Sequence, residues 1–301
     1  LHHRHRIAVR WWPVVGYALM HLIPRTLRAD VSRALQEDIR SGDVTANLIS
    51  ETQTGRAVLM TRDAMIVAGL PYATETFAQV DPGVVITWLV NEGDAINAGS
   101  QLAIFEGPAR ALLTAERTAL NFIQLLSAVA TRTHQLAQLL DGTSAKLFDT
   151  RKTLPGLRDA QKYAVKVGGG ENHRIGLFDQ ILIKENHIAA SGSITQAIKT
   201  ARRLHPNVKV QVEVETFEEL DEALAAQPDI IMLDNFDTQA LQQALSRRSV
   251  AHCDHIEFEA SGGITEENLR EIGLSGVDRI SLGTLTKDIR AIDLSMRVEL
   301  S

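Results

Sequence analysis

From Asp30, a residue suited to capping a first helical turn, the apolar positions Val31, Ala34, Leu35 and Ile39 recur at helical spacing and stop at Gly42. The spacing predicts an amphipathic helix. Alternating or β-branched runs follow at residues 57–60, 65–68, 84–90 and 101–105, with a helical pattern over 72–80 between them. These predict an antiparallel sheet with helical cover. A long helix is expected over 109–140, its apolar face supplied by Leu112, Leu113, Ala119, Leu120, Ile123 and Leu126. Within it Arg117 has Leu113 and Leu120 as its i−4 and i+3 neighbours. Its guanidinium either snorkels to solvent, which the pattern favours, or points into a pocket.

Beyond Thr143 the pattern changes to strand then helix, repeated. Strands are expected near 145–148, 180–183, 208–214, 229–233, 255–259 and 279–282, separated by helices centred near Tyr163, Ile198, Leu220, Leu241 and Leu269. Such alternation implies a parallel sheet with crossover helices. Six strands are fewer than the eight of a complete barrel, and no glycine-rich dinucleotide fingerprint follows a strand. A partial or irregular α/β barrel is therefore expected rather than a doubly wound sheet.

Parallel α/β folds carry their chemistry at the carboxyl ends of strands. That edge reads, in order, Asp149, Arg151 and Lys152; Lys184, Asn186 and His187; Glu213 and Glu215; Asp234 and Asn235; Ser261, Gly262 and Gly263; and Ser281 and Gly283. With the loop residues His173 and Arg174, the first two groups form a cationic cluster suited to two carboxylates or a phosphate. The plain alternative is a set of surface salt bridges. SGGITEEN from Ser261 sets small residues before a helix start, and SLGT from Ser281 follows the last strand; both are loops that suit phosphate. Glu213, Glu215 and Asp234 could pair with lysine, coordinate Mg²⁺ carried by a polyphosphate, or stabilise a developing sugar cation.

Composition narrows the field. The 301 residues are 45% hydrophobic and 23% charged, normal for a globular chain, and the net charge of −6 argues against a nucleic-acid surface. A single cysteine, Cys253, excludes an intrachain disulfide and any multi-cysteine zinc site, and a cytoplasmic setting is expected. The first residues are basic and His-rich (His2, His3, His5), then moderately apolar from Trp11 to Pro24, too short to span a membrane and without the cleavage site of a signal peptide. Residues 1–29 are expected to form an accessory or disordered extension, with Met20 as the natural start. The stretch VNEGDAINAGSQLAIFEG from Val90 resembles the hairpin of biotinyl and lipoyl carrier domains. No lysine occurs between Arg62 and Lys146, so the carrier reading lacks its essential residue.

ERTALNF from Glu116, DTRKTLPGLR from Asp149, KVGGGENHRIGL from Lys166, ILIKENH from Ile181, VEVE from Val212 and IIMLDNF from Ile230 together resemble the quinolinate phosphoribosyltransferase family, also called nicotinate-nucleotide pyrophosphorylase (carboxylating). The resemblance covers nearly everything from Asp30 onward. It implies an N-terminal open α/β sandwich domain over 30–142, an incomplete α/β barrel over 143–286, and a C-terminal helix over 287–301 packing back on the N-terminal domain. It further implies transfer from 5-phosphoribosyl 1-diphosphate to quinolinate with Mg²⁺, giving nicotinate mononucleotide, diphosphate and CO2 for NAD biosynthesis.

Carried over by motif, Arg151, His173, Arg174 and Lys184 would bind the two substrate carboxylates. Arg117 would reach that pocket from the partner subunit of a homodimer, against the snorkelling reading above. Lys152, Glu213 and Asp234 would face the ribose diphosphate and its metal, and Ser261, Gly262, Gly263, Ser281, Leu282 and Gly283 would surround the phosphates. The family often has another small or polar residue where Gly263 stands, which puts only a side-chain contact in question. Rival readings are a nicotinate-specific relative, a paralogue associated with metal transport, an aldolase using Lys184 as Schiff-base nucleophile, and a non-catalytic scaffold. A chain beginning at Met20 is expected to keep full activity; loss of folding on that truncation would refute Met20 as the start.

Overall fold

The computed structural model describes residues 19–301. His2, His3, His5 and most of the expected extension lie outside the described residues. Helix α1 (Leu27–Ile39) leads into β1 (Thr54–Thr61), β2 (Met65–Ile66), α2 (Leu70–Val80), β3 (Val85–Trp88), β4 (Ala95–Ile96), β5 (Gln101–Pro108) and the long α3 (Ala109–Leu139). Next come β6 (Lys146–Phe148), α4 (Arg158–Val167), β7 (Ile181–Ile183), α5 (Glu185–Ser191) and α6 (Ile194–Leu204). The series continues with β8 (Val210–Val214), α7 (Phe217–Ala226), β9 (Ile230–Asp234), α8 (Thr238–Val250), β10 (Glu257–Ser261), α9 (Glu266–Leu274), β11 (Arg279–Ser281) and β12 (Leu294–Leu300). Two compact units result. One takes in the described residues up to His134 with Leu154–Gly169 and Leu285–Ser301; the other holds Gln135–Thr153 and Gly170–Thr284.

In the first unit, an antiparallel sheet in the order β12-β1-β5-β3 is pinned by alternation. Ala57 and Leu59 on β1 face Phe105 and Ala103 on β5, and all four are buried, because successive strand residues point to opposite faces. Phe105 then packs against Phe77 of α2, ring centroids 4.6 Å apart, and against the edge of Trp88 at 5.8 Å. Leu112, Leu120 and Ile123 of α3 complete this core. The segment expected as a C-terminal helix over 287–301 is instead strand β12, paired antiparallel with β1 through Val298↔Ala57 and Met296↔Leu59. Leu294, Met296 and Val298 alternate with Ser295, Arg297 and Glu299, which is the period of a strand and not of a helix.

The helix centred on Tyr163, expected as a crossover of the barrel, belongs to the first unit. Six consecutive residues of it, Ala160 to Val165, are buried. Gln161 fixes two passing segments, accepting from the Leu154 amide at 2.7 Å and donating to the Thr286 carbonyl at 2.8 Å. At the end of α4, a Cβ on Gly168 would lie 2.4 Å from the Ala130 carbonyl of α3. Only glycine permits that approach.

The second unit is a six-stranded parallel sheet in the order β6-β11-β10-β9-β8-β7. Its first strand pairs with its last, and among the described residues β6 and β7 form no ladder, so this is a barrel left open between those two strands. On the open edge of β6 a single bridge stands in: Glu171 donates its amide to the Leu147 carbonyl at 2.7 Å and accepts from the Asp149 amide at 3.0 Å. No helix of the described residues is long and apolar enough to cross a membrane.

Glu92 of the first unit is buried where α2 begins, accepting from the Gly69 amide at 2.6 Å, the Leu70 amide at 3.0 Å and the Tyr163 hydroxyl at 2.7 Å. Burial pushes its carboxyl from the usual 4.5 to about 7, against the opposing pull of those three donors. A folded-state value above the unfolded one makes the contribution to stability full below about pH 4.5 and lost as pH rises through about 7. Thermal unfolding across that window should therefore show the protein losing stability relative to Glu92→Gln as the pH is raised; parallel curves would refute this.

Candidate active site

The open barrel delivers its polar residues to one edge, because all six strands run the same way. At the end of β6, Asp149 is buried and accepts the His173 amide at 2.8 Å, which ties the HRI loop to that strand end. Thr150 accepts the Lys152 amide at 3.0 Å, turning the chain through Arg151. At the end of β7, the Lys184 amide donates to His187 Nδ1 at 3.0 Å, so His187 shapes the start of α5. The Lys184 ammonium pairs directly with the Glu213 carboxylate from β8.

Acids gather beside this lysine. Glu213, Glu215 and Asp234 each present a carboxylate oxygen within 4.8 Å of the others. Three hard oxygen donors at such spacing fit a divalent cation of the magnesium or calcium type. Asp234 ends β9 in register with Ser261 of β10. Here the glycines have a steric reason: Gly262 has φ +82°, and a Cβ on it would lie 2.3 Å from Asn235 Oδ1 and 2.9 Å from Asp234 Oδ1. Gly263 also has positive φ, +63°, and Asn268 of α9 donates to its carbonyl at 3.1 Å. After β11, a Cβ on Gly283 would lie 2.8 Å from Lys152 Cδ. The loops after β6 and β11 therefore touch.

Cationic crowding marks the other side of this edge. Burial first, and then the charge of Arg151, push the Arg174 guanidinium below its ordinary value, with Asp179 opposing. Asp179 also accepts the Ile175 and Gly176 amides at 2.8 and 3.0 Å, holding the loop that carries Arg174. Guanidiniums present planar paired donors, which suit an anion with more than one acceptor.

Beneath the edge lies a buried ionic group that reading the strand ends did not reveal. Glu259 of β10 is fully buried and receives Arg279 Nε at 2.9 Å and Gln211 Nε2 at 3.1 Å on one oxygen, while its other oxygen lies 3.3 Å from His173 Nε2. Burial pushes its carboxyl up, but the approach of His173, the charge of Arg279 and the Ser281 hydroxyl outweigh this and hold it below the usual range. Arg279 also donates to Glu257 at 2.9 Å and stacks over Phe148 at 3.8 Å. Polar residues two apart in short buried strands were the available signal: Gln211 with Glu213, Glu257 with Glu259, Arg279 with Ser281.

The arrangement thus joins Lys184, Glu213 and Asp234; Arg151 with Arg174; Asp149 with His173; Gly262 with Asp234; and Gly283 with Lys152. Ser281 and Leu282 are both buried; the Ser281 hydroxyl bonds Glu259, and the Leu282 amide is committed to the Phe148 carbonyl at 2.9 Å. Arg117 belongs to the first unit, where it is exposed and lines a cavity of about 510 Å³ with Asp30, Arg33, Asn121 and Gly156.

Residues 43–127 match the model of the quinolinate phosphoribosyl transferase N-terminal domain, and residues 129–297 match that of its C-terminal domain. A probable nicotinate-nucleotide pyrophosphorylase (carboxylating) of Bacillus subtilis is 44% identical over 266 residues, covering 88% of this chain and 91% of its own. The nicotinate-nucleotide pyrophosphorylase (carboxylating) of Mycobacterium leprae is 40% identical, covering 89% and 96%. Among solved structures, the nicotinate-nucleotide pyrophosphorylase of Francisella tularensis superposes with a TM-score of 0.87 at 45% identity, over 92% of this chain and 98% of that one.

Gly262→Ala adds a Cβ where neither the backbone conformation nor the neighbours accept one. It is expected to lower stability by roughly 1–3 kcal/mol and to displace Asn235 and Asp234. Thermal unfolding measures the first effect, and a crystal structure of the variant the second.

Proposed function

Because the chain belongs to the quinolinate phosphoribosyltransferase family, it is a decarboxylating pentosyltransferase of NAD biosynthesis that forms nicotinate mononucleotide, and we propose that the two sides of the barrel edge divide its substrates. Arg151, Arg174 and Lys184 bind the two carboxylates of quinolinate, with His173 behind them. Lys152, Glu213 and Asp234 attend 5-phosphoribosyl 1-diphosphate, whose phosphates lie against the loops of Ser261, Gly262 and Gly263 and of Ser281, Leu282 and Gly283. The observation that supports this reading is the meeting of basic and acidic residues at one barrel edge, where Lys184 pairs with Glu213 beside Glu215 and Asp234.

In the reaction, the pyridine nitrogen donates its lone pair to the ribose anomeric carbon while diphosphate departs with the electrons of the broken C–O bond. The carbon is cation-like between the two events, so the carboxylates of Glu213 and Asp234 are matched to the charge that develops there. Nitrogen alkylation turns the ring into an electron sink. The adjacent carboxylate then leaves as CO2, and a proton takes its place on the ring carbon. Mg²⁺, held by Glu213, Glu215 and Asp234 together with the diphosphate, would neutralise the leaving group. Lys184 is positioned against Glu213, so it balances the charge of both substrates at their boundary.

The same reading makes the enzyme a homodimer in which Arg117, exposed on α3, completes the carboxylate site of the partner subunit. A cytoplasmic location accords with the lone buried Cys253.

Purified protein mixed with quinolinate, 5-phosphoribosyl 1-diphosphate and Mg²⁺ should release nicotinate mononucleotide and CO2, with nicotinate inert; product from nicotinate alone would overturn the assignment. In the same assay Arg174→Ala should raise the quinolinate KM at least about tenfold, through loss of a charge-assisted contact of roughly 1.5–3 kcal/mol. Glu213→Ala and Asp234→Ala should lower kcat more than they weaken quinolinate binding.

A further inference from the structure

The geometry points to Glu259 as a positioning residue that acts through His173 to hold the Arg174 main chain in place for substrate carboxylate. This rests on the reading of Arg174 as a carboxylate ligand. The argument begins with the ring of His173. Its Nδ1 accepts the Arg174 amide at 2.8 Å, so Nδ1 must be without a proton. A ring proton therefore resides on Nε2, which faces Glu259 Oε1 at 3.3 Å. Glu259 selects that tautomer because it offers only acceptors there, and because its other oxygen is already occupied by Arg279 Nε at 2.9 Å and Gln211 Nε2 at 3.1 Å. The chain of contacts runs from a fully buried carboxylate inside the barrel to the backbone beside a binding guanidinium.

Substituting glutamine tests the tautomer directly. In Glu259→Gln the amide oxygen has to stay with Arg279 and Gln211, which places the amide NH2 against the Nε2–H of His173, donor against donor. Relief comes when His173 moves its proton to Nδ1, and Nδ1 then ceases to accept from the Arg174 amide. The loop carrying Arg174 loses its local anchor, although Asp179 still holds the following two amides.

Two measurements judge this. Imidazole ¹⁵N spectra of the folded wild-type protein should show His173 with its proton on Nε2, and those of Glu259→Gln should show it on Nδ1. Steady-state kinetics of Glu259→Gln should show a quinolinate KM raised at least about tenfold, an unchanged KM for 5-phosphoribosyl 1-diphosphate, and no further loss when the substitution is made in a His173→Ala background, as required of residues acting in series. A wild-type His173 protonated on Nδ1 overturns the proposal even if the variant does not fold. So does an unchanged quinolinate KM, or a loss that simply adds to that of His173→Ala. Failure of the wild-type protein to turn over quinolinate would count against the functional reading instead, and the spectra would still decide the role of Glu259.

Discussion

One constraint governs the second unit: its six strands are parallel, so their ends must face the same way. A residue placed just beyond any strand is thereby delivered to the same edge, whatever its distance in sequence. That is how Lys184, Glu213, Asp234 and Gly262 become neighbours, and Lys152 and Gly283 likewise, without local sequence contact. The glycines act within this arrangement as sites where the backbone can come close, Gly262 against Asp234 and Gly283 against Lys152.

Charge is handled differently at two depths. At the edge, cations and anions meet within reach of solvent, as in the pair of Lys184 with Glu213. Two residues further down β10, Glu259 is enclosed and its oxygens are met by Arg279, Gln211 and His173. Taking such a group out of water is costly, and an apolar substitute of similar volume often gives equal stability. What an apolar group cannot do is dictate the orientation of the imidazole that faces it. The interior charge is thus placed to orient that imidazole.

Much of this was legible along the chain, in proportion to how local the cause was. The six barrel strands and the glycine loops follow from short apolar runs ending in polar or small residues, a pattern that needs no knowledge of what packs where. Strand β12 was misread as a helix, although Leu294, Met296 and Val298 alternate, because its partner β1 lies at the far end of the chain and nothing nearby in sequence marks the pairing. The placement of α4 in the first unit was equally invisible, since it depends on Gly168 clearing the Ala130 carbonyl and on Tyr163 reaching Glu92. Gln211, Glu259 and Arg279 lie within strands whose other residues are largely buried and apolar, so nothing local marks them as part of the edge. Arg117, flanked along its helix by Leu113 and Leu120, is exposed.

The connectivity of the two sheets bears on how the chain can be made. Among the described residues the ladder partner of β6 is β11, and β1, besides pairing with β5, pairs with β12, so the first strand of each sheet keeps one edge that is filled by one of the last. During synthesis each sheet keeps an unfilled edge until β11 or β12 has been made. Unfilled edges recruit foreign strands, and long-range pairings form slowly. Until β12 is made, the edge of β1 that its seven residues cover stays open to such pairing.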